Sequence, residues 1–230
     1  MTAQWVDIPS GNDTFGGYLS LPKRGNGPAV IIIQEIFGVN AHIRAVCDQY
    51  AADGYVAIAP DLFWRTQPRV ELAYDGAGVG KGMELAQNAE IDLMVADIAA
   101  TAGLLRTRPE VAGKVAAIGY CLGGRLAYLA AATGKIDAAV AYYGGGIQSC
   151  LDVVDKIAQP ILFHFAENDH AIPLSGVDDV KATFASRDNA TFYLYPGAEH
   201  GFNCTDRASY NQRAAALAHG RTLTFLAEHL

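Results

Sequence analysis

Gly119-Tyr120-Cys121-Leu122-Gly123 sets a sulfur nucleophile between two glycines. The apolar run Lys114 to Ile118 precedes it, and the helix-like stretch Gly124 to Ala131 follows. Strand, sharp turn and helix with a nucleophile at the apex make the Gly-x-Ser-x-Gly elbow pattern, here with sulfur in place of oxygen. Glycines flank the apex because the elbow brings strand and helix too close for side chains. A thiol at a helix N-terminus is pushed toward its anion and suits attack on an acyl carbonyl.

Such a nucleophile works with a base and an orienting acid, in the chain order nucleophile, acid, histidine. Pro160 to Phe165 reads as a buried strand, followed by the polar loop Ala166-Glu167-Asn168-Asp169. Ala190 to Tyr195 reads as the next strand and ends in the loop Pro196 to Phe202, which carries His200. Parallel sheets place their chemistry at the carboxyl ends of strands, so Asp169 and His200 are expected on the same edge as Cys121. Glu167 competes for the acid role in the same loop, but Asp169, further from the strand end, suits it better. His164 lies inside an apolar strand and reads as a satisfied core residue. His170 adjoins the acid and is poorly placed to bridge it to sulfur. His42, His219 and His229 fall in helical patterns and read as surface residues.

Glu35 follows the apolar run Val30 to Ile33. A carboxylate at the end of a central strand is expensive without a partner, although a solvated strand end would also accommodate it. The strand is expected beside the elbow strand, which puts Glu35 near Cys121. The loop after it would supply one oxyanion N–H, from Ile36, and Leu122 the other.

With these residues in view the chain resembles the dienelactone hydrolases (carboxymethylenebutenolidases). The resemblance is carried by Gln34-Glu35-Ile36-Phe37-Gly38, Gly119 to Gly124, Tyr142-Tyr143-Gly144, Asp169 and His200-Gly201-Phe202, and it runs from about Gly16 to Leu226. It implies an α/β-hydrolase fold, a mostly parallel doubly wound sheet flanked by helices on both faces. It also implies a Cys121, Asp169 and His200 triad, with Glu35 hydrogen-bonded to the resting thiol and substrate contacts from Phe37, Tyr142, Gly201 and Phe202. The implied enzyme is a monomeric, cytoplasmic lactonase without cofactor or metal. The chain departs from the family pattern at the substrate-binding arginines. Members that cleave dienelactone hold the substrate carboxylate with arginines, one of them four residues after the catalytic histidine, where this chain has Cys204. Arg207 is the nearest basic residue; Arg65, Arg69 and Lys81 are the candidates for the second arginine. A general short-chain carboxylesterase is the nearest alternative. A thiol redox protein or a non-catalytic binding protein on the same fold are the alternatives of other classes.

The rest of the chain reads as the scaffold for these groups, one domain over 1–230. Strand and helix patterns alternate: strands at 16–21, 30–33, 54–60 and 136–143, helices at 41–52, 83–105, 173–187 and 206–230. Thr66 to Lys81, with Gly76, Gly78 and Gly80, is irregular and reads as a mobile flap over the site. A net charge of −7 disfavours nucleic acid and anionic membranes as partners, and the resemblance implies a small-molecule ester or lactone as the substrate. No apolar run is long enough to span a membrane, and the first residues lack a basic-then-apolar leader pattern. Four cysteines without paired spacing suit a reducing cytoplasm.

Overall fold

A computed structural model describes residues 2–230. The chain runs β1 (Thr2–Ser10), β2 (Asp13–Leu21), β3 (Gly27–Ile33), α1 (Ala41–Ala52), β4 (Val56–Pro60), α2 (Gly76–Asn88), α3 (Ile91–Thr107) and β5 (Val111–Tyr120). It continues with α4 (Leu122–Ala131), β6 (Ala138–Tyr142), β7 (Ile161–Asn168), α5 (Leu174–Thr183), β8 (Ala190–Glu199) and α6 (Gln212–His229). One sheet holds all eight strands in the order β1-β2-β4-β3-β5-β6-β7-β8. The β1–β2 and β2–β4 pairs are antiparallel, and every other pair is parallel. This is the α/β-hydrolase type of fold expected above.

The central strands are apolar without alternation because both of their faces are covered. Ala29 to Ile33, Val56 to Ala59, Val115 to Ile118 and Ala138 to Ala141 are all buried. The helices that cover them form two groups. His219 of α6 reaches Asp53 at the end of α1 at 2.9 Å, and α3 packs on α4. The core also holds a polar chain, in which Tyr142 bonds Thr222 at 2.7 Å and Thr222 bonds His164 Nε2 at 3.0 Å. His164 Nδ1 bonds Tyr195 at 2.8 Å, and burial pushes the imidazole down to about 3, so it sits neutral with both nitrogens engaged.

Strand order reverses between β3 and β5, the point where an open α/β sheet leaves a crevice at its carboxyl edge. Ile33 pairs with Gly119 there, so the residues leaving β3 and β5 emerge side by side.

Three stretches differ from the sequence reading. β1 is an edge strand with most of its residues exposed or half-buried, so it shows no apolar pattern, yet it pairs with β2 along its whole length. The helix expected over 83–105 is two helices, α2 and α3, separated by Ala89 and Glu90 in extended conformation. No glycine or proline marks that break; α2 begins early because Asp75 accepts from the Gly78 N–H at 2.7 Å. The stretch Thr66 to Lys81 is docked. Val70 is buried, Glu71 bridges Gly38, the Leu72 N–H donates to Phe37 O at 3.0 Å, and Gly76 to Lys81 are helical. Among the described residues no helix is long and apolar enough to cross a membrane.

Candidate active site

Cys121 is the first residue after β5 and caps α4 with φ 56° and ψ −116°, a conformation strained for any residue with a side chain. The turn is possible because a Cβ at Gly119 would land on the Gly123 carbonyl, and one at Gly123 would lie 2.6 Å from Gln34 O. Backbone bonds hold the apex: the Cys121 N–H donates to Tyr142 O at 3.1 Å, and its carbonyl accepts from Gly124 at 3.0 Å. The side chain is half-buried at the crevice.

Asp169 and His200 are brought together by sheet pairing. After a register shift, Asn168 at the end of β7 pairs with Glu199 at the end of β8. The acid and the histidine are the next residue on each strand. His200 Nδ1 lies 3.0 and 2.9 Å from the two Asp169 oxygens. The N–H groups of Ala171 and Ile172 donate to Asp169 Oδ1 at 2.8 and 3.1 Å and fix the carboxylate. Burial works against charge on His200, but the Asp169 hydrogen bond and the neighbouring Cys121 outweigh it and raise the pKa to about 10. Glu167 is exposed and accepts from the Gly197 N–H at 2.8 Å, away from the histidine. His170 is exposed, with its ring 5.4 Å from that of His200.

Glu35 is 1% exposed at the crevice beside the elbow. The hydrogen bonds it makes are not to the thiol. Its Oε2 accepts from Tyr74 at 2.9 Å, and its Oε1 accepts from Arg207 Nη1 at 3.1 Å. Burial and then Glu35 push the Tyr74 phenol well up, so it stays a donor. For Arg207, burial opposes charge, but Glu35 more than compensates and the pKa rises. Cys204 lies in the same cluster and is pushed up to about 11, by burial first and Glu35 second, so it remains a thiol at neutral pH. Ile36 is half-buried, and among the described residues neither its N–H nor that of Leu122 donates to a backbone carbonyl.

The expected substrate contacts divide. Phe37 lies against the Tyr74 ring at 4.4 Å, beside Glu35. Gly201, at φ 81°, makes room for Arg207: a Cβ there would lie 2.5 Å from Arg207 Nη1. Tyr142 and Phe202 are instead core residues with no exposed surface, the first bonded to Thr222 and the second packed on Tyr143 and Tyr195. Of the basic candidates, only Arg207 reaches the site. Arg65 bonds Asp97 at 3.0 Å, Arg69 stacks on Trp5 at 3.3 Å, and Lys81 pairs with Glu84 at 2.8 Å. His42 is buried next to Tyr74, not at the surface as expected, because α1 turns it inward. Tyr74 was missed for want of any pattern around it; the Glu35 partners lie 39 and 172 positions away along the chain.

The chain is similar to known proteins over nearly its whole length. Residues 15–230 match the model of the dienelactone hydrolase family. A carboxymethylenebutenolidase of Pseudomonas putida is 37% identical over 229 residues, covering 99% of this chain and 97% of the relative. A crystal structure of a candidate dienelactone hydrolase from Klebsiella pneumoniae superimposes with a TM-score of 0.87 at 30% identity, covering 99% of both chains. A dienelactone hydrolase-like promiscuous phosphotriesterase from metagenomic libraries shares the fold, with a TM-score of 0.80 at 22% identity. The chain is a hydrolase of ester or lactone bonds and belongs to the dienelactone hydrolase family.

Proposed function

We propose that this protein opens a lactone or small carboxylic ester through a Cys121–His200–Asp169 triad and an acyl-enzyme. The observation that carries the reading is the convergence of an elbow cysteine with an Asp169-bound histidine on one sheet edge. A histidine protonated at neutral pH fits an ion pair in which the thiol proton resides on the imidazole. The thiolate adds to the carbonyl, and the oxyanion is held by the Ile36 and Leu122 N–H groups. As the tetrahedral adduct collapses, the C–O bond breaks and His200 protonates the leaving alkoxide. Neutral His200 then takes a proton from water, hydroxide attacks the thioester, and the carboxylic acid product leaves with Cys121 restored.

Arg207 is the group that would recognise a carboxylated substrate. An incoming carboxylate competes with Glu35 for the guanidinium, so anion binding loosens the carboxylate nearest the elbow. A neutral ester lacks that exchange, and a carboxylesterase acting on neutral substrates is the second reading. The four cysteines are free, which suits a cytoplasmic enzyme, and the reading includes a single-domain monomer working without cofactor on a small molecule. Rapid quenching of a slow ester, followed by intact mass measurement, tests the proposal. The expected result is an acyl adduct on Cys121; turnover without an adduct, together with activity in Cys121→Ala, would overturn it.

A further inference from the structure

Tyr143 is the residue immediately after β6. Among the described residues only Arg69, Cys121 and Tyr143 take a positive φ without being glycine, and Tyr143 does so at 37°. Two of those three are neighbours. Tyr120 pairs with Tyr142 on adjacent strands, so Cys121 and Tyr143 leave the sheet side by side, both in left-handed conformation. Such backbone conformations persist where the surroundings over-determine them, and they cluster at sites of function.

The Tyr143 ring cannot turn away. Its backbone N–H donates to His164 O at 2.8 Å, and the side chain has no exposed surface. It stands edge-on to the His200 ring at 5.2 Å and to Phe202 at 5.2 Å. Tyr142 bonds Thr222 and Tyr74 bonds Glu35. The Tyr143 hydroxyl is buried without a partner. Burial, followed by the negative charge of Glu35, pushes this phenol well above its usual range. It therefore keeps its proton and has only a hydrogen bond to offer.

We propose that Tyr143 is a further catalytic residue, whose hydroxyl donates a hydrogen bond to the Cys121 thiolate. The inference rests on Cys121 being the nucleophile. The thiolate is the acceptor that the resting hydroxyl lacks, and it forms on the residue next to Tyr143 in the sheet. A donor of this kind favours the charged sulfur while Glu35 opposes it, and the oxyanion is left to Ile36 and Leu122.

The test is Tyr143→Phe, which keeps the ring and removes only the hydroxyl. The rate of Cys121 alkylation by iodoacetamide is followed against pH by peptide mass spectrometry, alongside kcat and KM for p-nitrophenyl acetate and the Tm. The alkylation midpoint should rise by about one unit, and kcat/KM should fall about ten- to a hundredfold, mainly in kcat. Tm should stay level or rise, because the lost hydroxyl satisfied nothing. An unshifted midpoint, with or without a lower Tm, would overturn the proposal. Cys121→Ala is run in parallel: activity there strikes at the nucleophile, whereas the alkylation profile of Tyr143→Phe reads the hydrogen bond without any turnover.

Discussion

Glu35 and Arg207, 172 positions apart, meet at 3.1 Å beside the elbow, and Tyr74 closes the other carboxylate oxygen at 2.9 Å. A lone carboxylate next to a thiol would resist its ionisation, since like charges resist sharing a site. Here the negative charge is matched by a guanidinium on the same floor.

Opposite effects on the thiol follow from removing each partner. Glu35→Gln should speed Cys121 alkylation at pH 7, and Arg207→Ala should slow it, each by up to about tenfold. Arg207→Ala should also cost about 3 kcal/mol, because Glu35 is left buried and uncompensated. The double variant should recover most of that loss. Alkylation profiles and urea midpoints of the three variants check this; shifts in the same direction would remove the electrostatic explanation.

Cys121→Ala should abolish turnover, by about 10⁴ to 10⁶, with little change in stability. Both residues carry a Cβ, so the strain at φ 56° is the same before and after. Activity and thermal unfolding of the variant give the two readings.

Much of this was legible from residue types alone. Central strands are legible because burial on both faces leaves an unbroken apolar run, as in Val30 to Ile33. The elbow is legible because two close approaches demand glycine at 119 and 123. β1 was not, since an edge strand facing solvent has no apolar face to display. Nor was the docking of the stretch around Tyr74, whose order comes from partners on the β3–α1 loop and not from its own residues. Tyr142 and Tyr143 are adjacent and alike in the sequence, and the backbone turn between them sends one to Thr222 and the other against the His200 ring.

Anion recognition should depend on a residue with no side chain. In Gly201→Ala the new Cβ meets Arg207 at 2.5 Å, and the φ of 81° adds strain. The ratio of kcat/KM for a carboxylated lactone to that for its methyl ester should fall about tenfold or more in Gly201→Ala and in Arg207→Ala alike. A ratio unchanged in both would mean that no anion is held there.

The pH dependence of stability carries two signs. His200 has a folded pKa of about 10 against 6.5 unfolded, so its contribution is full below pH 6.5 and is lost as pH rises through about 10. His164 has a folded pKa of about 3, so its contribution is full above 6.5 and is lost as pH falls toward 3. Urea midpoints from pH 4 to 11 should therefore peak near pH 6.5 and fall on both sides. His200→Gln should flatten the alkaline limb by on the order of 1.4 kcal/mol per pH unit and leave the acid limb in place.

The rung between Asn168 and Glu199 separates two jobs that a loop-borne acid and base would share. The distance from Asp169 to His200 is set by one rung of backbone pairing and by the Ala171 and Ile172 N–H groups that hold the carboxylate, so the connection from α5 onward has no part in maintaining it. That connection is free to drift: it can be lengthened, shortened, or cut and rejoined by circular permutation near Ser186 while the acid–base couple keeps its spacing. Descendants of this scaffold can thus remodel one wall of the crevice without retuning the histidine.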